Sequence, residues 1–69
     1  MREKKHPEYF AIKGYQCLAR LSDEDVAEYL GIKARTYKEK VKGYLDFSPA
    51  EGIALAKLLN KTQSELFLT

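Results

Sequence analysis

Helix start and stop signals recur along this chain so closely that only short helices fit between them. Ser48-Pro49-Ala50-Glu51 combines a serine cap, a proline at the first helical position and a glutamate that completes a capping box. Thr62-Gln63-Ser64-Glu65 repeats the capping-box pattern. Ser22 precedes Asp23-Glu24-Asp25, and carboxylates in a first turn suit the positive end of a helix dipole. Gly31 and Gly43 stand where a left-handed residue ends a helix. These marks predict five helices. They run from near Pro7 to near Arg20, from Ser22 to Leu30, from Ala34 to about Lys42, from Pro49 to Leu59 or Asn60, and from Thr62 through Phe67.

Apolar spacing agrees with that division. Val26, Ala27 and Leu30 share one face, as do Ala34, Tyr37 and Val41, and Gly52, Leu55, Ala56 and Leu59. In the first helix the expected inward stripe is Ile12, Tyr15 and Ala19. No segment sustains the alternation of a strand, so the fold class is all-α. The 69 residues form one domain, with residues 1–6 expected as a flexible basic tail. A chain this short buries roughly 60% of its unfolded surface, too little to build a core around a catalytic cavity. No apolar stretch approaches the roughly 20 residues that a membrane span needs. The basic start Met1-Arg2-Glu3-Lys4-Lys5 lacks the apolar segment of a signal peptide. A single cysteine, Cys17, excludes an intrachain disulfide, and a reducing cytoplasm is the expected location.

The net charge of +2 decides little, but its distribution is segregated. Lys33, Arg35, Lys38, Lys40 and Lys42 face one acid, Glu39, between positions 33 and 44. Asp23, Glu24, Asp25 and Glu28 meet no base between Ser22 and Leu30. A concentrated basic segment is the usual footprint of an anionic partner. The stretch from Leu21 to Gly43 reads as helix, glycine turn, helix. Ala27 permits close approach, Gly31 permits the turn and Ile32 fills the corner. That is a helix-turn-helix, whose second helix can enter a major groove.

The stretch Leu21-Ser22 through Leu30-Gly31-Ile32 resembles the lambda-repressor-like family, also called Cro/CI or XRE-type regulators. Thr36 to Phe47, Leu55 to Asn60 and Ser64-Glu65-Leu66-Phe67 look like its small phage and prophage members. The resemblance implies a five-helix domain with the helix-turn-helix formed by helices 2 and 3. It also implies a double-stranded DNA operator and binding as a weak homodimer. Carried over by position, base-edge contacts fall on Lys33, Ala34, Arg35, Lys38 and Glu39, with Lys42 and Tyr44 beside the phosphates. The residues agree on their own terms. Arg35, Lys38, Glu39 and Lys42 lie opposite the Ala34-Tyr37-Val41 stripe, and arginine can grip guanine with two bonds. Four departures bear on operator affinity. Asp23 replaces a phosphate-contacting glutamine, Lys33 a serine or threonine cap, Ala34 a base-reading side chain and Lys40 an apolar residue.

Other chemistry finds little support. His6 has no cysteine or second histidine nearby to share a metal. Cys17 reads as a small core residue. The acids after Ser22 read as a cap cluster, and the tyrosines as packing residues rather than a stacking platform for single strands. No nucleophile–base pair or phosphate loop marks an enzyme, and no cofactor is expected. The sequence therefore points to a sequence-specific transcriptional regulator. The alternative is a protein-interaction module, an antirepressor or adaptor with a protein partner. Leu68 and its neighbours are the expected dimer contact.

Overall fold

The computed structural model describes residues 3–67, so Leu68, the expected dimer contact, lies outside the described residues; these form five helices: α1 (Phe10–Leu18), α2 (Asp23–Leu30), α3 (Ala34–Lys42), α4 (Pro49–Leu59) and α5 (Gln63–Leu66). No strand occurs among the described residues. Both expected capping boxes are formed, at Ser48–Glu51 and Thr62–Glu65. A third joins Ser22 to Asp25, whose carboxylate accepts from the Ser22 N–H while the Ser22 hydroxyl accepts from Asp25 N–H, both at 3.1 Å. Asp25 does here what glutamate does in the usual box.

α1 is shorter than its sequence pattern at both ends. Tyr9 donates its N–H to the Val41 carbonyl, which fixes the entering chain against α3 and delays the first turn to Phe10. At the other end Arg20 adopts a left-handed φ of 58°, and the Leu21 N–H reaches back to the Gln16 carbonyl. This closes the helix with a reversal usually given to glycine. Gly31 and Gly43 turn the chain with φ of 75° and 111°. At Gly43 a second constraint applies, because a Cβ would collide with the His6 carbonyl. The described part of the expected tail is held there. Lys5 and His6 both donate their N–H groups to the Gly43 carbonyl.

The core is built from Ile12, Val26, Ala27, Tyr37, Val41, Leu55, Leu59 and Leu66, with Leu30, Ile32 and Tyr15 packed against it. α2 packs on α3 and α4, while α1 bridges α3 and α5. Tyr9, Phe47 and Phe67 cluster, Tyr9 meeting Phe67 edge to face and Phe47, from the α3–α4 connection, tilted against both. Two expectations for α1 fail. Ala19 is its exposed C-cap, and Cys17 is exposed rather than buried. Gln16 is buried in their stead, 6% exposed.

Candidate nucleic-acid interface

α2, the Gly31 turn and α3 form the helix-turn-helix. Ile32 donates to the Ala27 carbonyl across the turn, and Val26, Ala27, Tyr37 and Val41 fill the angle between the helices. The first turn of α3 has no side-chain cap, because its N-cap is Lys33. Its free N–H groups and the lysine ammonium therefore lie at the same end, a local concentration of positive potential.

α3 divides cleanly into two faces. Tyr37 and Val41 are buried and Ala34 is packed against the core, so Ala34 offers only part of its small side chain outward. Lys33, Arg35, Lys38 and Lys42 are exposed. Glu39 and Tyr44 are half-buried, and the Lys4 ammonium lies 5.8 Å from the Tyr44 ring centre. The nine residues of α3 form a cylinder about 10–12 Å across with side chains, which a major groove about 12 Å wide admits. Lys40 does not belong to this face. Its ammonium donates to Glu51 Oε1 at 2.7 Å and to the Asp46 carbonyl at 3.0 Å, and both side chains of the pair are under one-fifth exposed. Position 40 thus keeps the inward orientation of an apolar residue while tying α3 to the start of α4.

Asp23 is the member of the site whose setting the sequence misjudged. It does not stand as an isolated carboxylate at the start of α2. Gln16 donates to its Oδ1 at 3.0 Å, Lys13 Nζ lies 4.0 Å from the same oxygen, and Lys38 Nζ lies 3.9 Å from Oδ2. Gln16 in turn accepts from the Tyr37 hydroxyl at 2.6 Å and donates to the Leu21 carbonyl. Burial, seconded by the Asp23 charge, pushes the Tyr37 phenol well above its usual range and keeps it a donor. A polar chain from the core thus reaches the surface at Asp23, where two lysines partly neutralise it. Lys13, absent from the sequence reading, joins Lys38 and Lys42 around a recess of about 270 Å³ whose remaining lining is Glu8, Asp23 and Val41. The signal available was weak, a lone lysine on an otherwise uncharged helix.

The described residues hold no group of three or more metal-ligating side chains. Both ring nitrogens of His6 lie 2.8 Å from backbone carbonyls, of Pro7 and Leu45. No described helix is long and apolar enough to cross a membrane.

No family model and no curated protein matches the chain. Solved structures do. The restriction-modification controller protein C.AhdI from Aeromonas hydrophila superposes with a TM-score of 0.72 at 23% identity, covering 83% of this chain and 86% of that one. The clp gene regulator ClgR from Corynebacterium glutamicum gives 0.74 at 12% identity over 81% of this chain and 60% of its own. The SOS-response transcriptional repressor LexA from Eubacterium rectale gives 0.73 at 21% identity over 87% and 66%. All three are regulators by name, and none is described as an enzyme. At these identities the likeness establishes architecture, and with the helix order and turn geometry above it fixes the fold of this chain as an all-α, five-helix helix-turn-helix shared with these three proteins.

Proposed function

We propose that this chain is a sequence-specific double-stranded DNA-binding transcriptional regulator of the phage-repressor kind, acting in the cytoplasm. The observation that carries this reading is the outer face of α3, where Lys33, Arg35, Lys38 and Lys42 are exposed together on a helix-turn-helix frame. Arg35 supplies the two-pronged donor that distinguishes guanine. Lys33, Ala34, Lys38 and Glu39 lie along the base edges beside it, with Lys42 and Tyr44 against the phosphates. The regulators with this architecture support the reading. One α3 covers a single half-site, so two copies pair on a two-fold operator.

Selection of binding sites from random duplexes, followed by titration of variants, tests the proposal. Arg35→Ala should lose about 1–3 kcal/mol on the selected site and relax its preference. Lys42→Ala should weaken all duplexes alike and flatten the salt dependence. Equal losses on every sequence would reduce α3 to an unspecific basic patch. The second reading, an adaptor that keeps the fold for a protein partner, draws on the exposed acids Glu24 and Glu28 of α2. It takes precedence if neither substitution changes duplex binding.

A further inference from the structure

The outward side of α1 is apolar along its whole length. Phe10 is 72% exposed and Leu18 81% exposed, the two most exposed large apolar side chains described. Gly14 and Cys17 lie between them on the same side, with Ala11 at its edge. A Cβ built on Gly14 meets nothing within 4 Å, so the glycine is not there to fit a neighbour inside the fold. The only charge on the helix, Lys13, flanks this face.

The order of these residues is symmetric. Phe10 stands four residues before Gly14 and Leu18 four after it, one helical turn on either side. Glu8 stands six before and Arg20 six after. We propose that α1 is a self-pairing surface on which a second copy of this chain packs antiparallel, with the two-fold axis at Gly14. Phe10 of each copy then meets Leu18 of the other, and the two glycines let the helices approach at the crossing. Glu8 and Arg20 lie beyond the helix ends, and Glu8 lines the recess beside Lys13, Lys38 and Lys42, so the pairing rests on the apolar residues.

The helix ends favour the antiparallel arrangement. α1 has no acid in its first turn and no base in its last turn, so neither end of its dipole is offset within the helix. An antiparallel neighbour brings the opposite end of its own dipole alongside each. The apolar face offers on the order of 400 Å² per copy, the size of a patch that is often functional on a single-domain protein. Twice that area lies below the roughly 1,200 Å² of stable complexes and within the range of weak, transient ones. The pairing is therefore a concentration-dependent equilibrium. This inference deepens the pairing part of the proposed function, yet it needs no DNA and is tested without it.

Sedimentation equilibrium of the full chain, up to about 1 mM, should show a monomer–dimer equilibrium, as weak interfaces do. Leu18→Glu should raise the dissociation constant at least about tenfold while leaving the thermal melt and the affinity for a half-site duplex unchanged, because the side chain makes so little contact within the monomer. Gly14→Leu separates specific pairing from general stickiness. It adds apolar surface, yet should weaken the dimer by holding the helices apart. In a Cys17→Ser background, Gly14→Cys should oxidise readily to a covalent dimer. Cys17 itself should not, since in this register the two Cys17 levels lie about 9 Å apart along the axis, beyond disulfide reach. A chain monomeric throughout, a dimer indifferent to Leu18→Glu, or one tightened by Gly14→Leu would overturn the proposal. Loss of DNA binding with the dimer intact would instead count against the proposed function alone.

Discussion

Replacing Lys40 with methionine tests how α3 is fastened to the rest of the domain. Methionine matches the length of the lysine stem and suits a half-buried site, so the perturbation is mainly the loss of the ammonium. In the native protein one oxygen, Glu51 Oε1, accepts from both Lys40 Nζ at 2.7 Å and Ser48 N–H at 2.9 Å. Burial works against the Glu51 charge, but the bonds from Lys40 and Ser48 and the lysine charge outweigh it and hold the carboxyl below its ordinary range. Removing Lys40 leaves a mostly buried carboxylate with its cap bond alone. A lost bond to a charged group costs about 1.5–3 kcal/mol, and the released Asp46 carbonyl adds up to about 1 kcal/mol. The sum, about 2–4 kcal/mol, is a large share of the roughly 3–10 kcal/mol expected for a domain this small. Urea unfolding followed by far-ultraviolet circular dichroism at neutral pH reads the loss directly. Glu51→Gln in the same background should return part of it, and the cycle of four proteins should give a coupling of about 1–3 kcal/mol. Acid adds a second reading. A carboxyl with a depressed folded pKa stabilises the native state above its unfolded value, near 4.5, and that contribution disappears as pH falls through the folded value. The acid limb of Lys40→Met should therefore be shallower than that of the native protein. A cost below about 0.5 kcal/mol, or a coupling near zero, would refute the account, since an ion pair this buried cannot be removed on one side for free.

Three further outcomes are expected. Asp23→Asn retains an acceptor for Gln16 but frees Lys13 and Lys38, so duplex affinity should rise by about 1 kcal/mol or less, most visibly at low salt. A fall in affinity on a selected site would instead give Asp23 a direct role in holding those lysines. Arg20→Gly relieves a left-handed backbone and should stabilise the domain by about 0.5–1 kcal/mol after the added freedom of the unfolded chain is deducted. An unchanged or lower melting temperature would count against the strain. Gly43→Ala meets both a φ of 111° and the His6 carbonyl. It should cost about 1–3 kcal/mol and expose the Lys5 and His6 amides to hydrogen exchange, whereas protection retained at the native level would show that the segment accommodates the methyl group and would refute the steric argument.

Most of the framework was legible because its determinants are local. The serine, threonine and glycine punctuation depends on neighbours three or four residues away, and it marks both ends of α2, the end of α3 and the start of α4. α1 was harder to orient. Its sequence, FAIKGYQCL, is apolar on nearly every side, so periodicity cannot say which face turns inward. The choice is made by tertiary contact. Gln16 turns inward because Tyr37 and Asp23 supply its partners, Cys17 turns outward with the other face, and Ala19 is exposed as the C-cap beyond the last turn. The same limit explains Lys40 and Asp23. A charge count along the chain places Lys40 with the other bases of α3, but Glu51, eleven residues on, draws it away. Nor does the count reveal that lysines from two other helices reach Asp23.

The backbone bonds between the start of the chain and the end of α3 also bear on synthesis. Lys5, His6 and Tyr9 are synthesised well before the Gly43 and Val41 carbonyls that receive their N–H groups, which follow more than thirty residues later. Those early residues cannot settle while the chain grows, and the closing turn of α3 is without its partners until they return. The last turn of α3, which carries Lys42, is closed locally by Gly43 and Tyr44 on the Glu39 carbonyl, and the returning segment adds long-range bonds to it. Until Gly43 has emerged from the ribosome the early segment has nowhere to dock, so protease sensitivity near His6 should persist until residue 43 clears the exit tunnel and vanish after it.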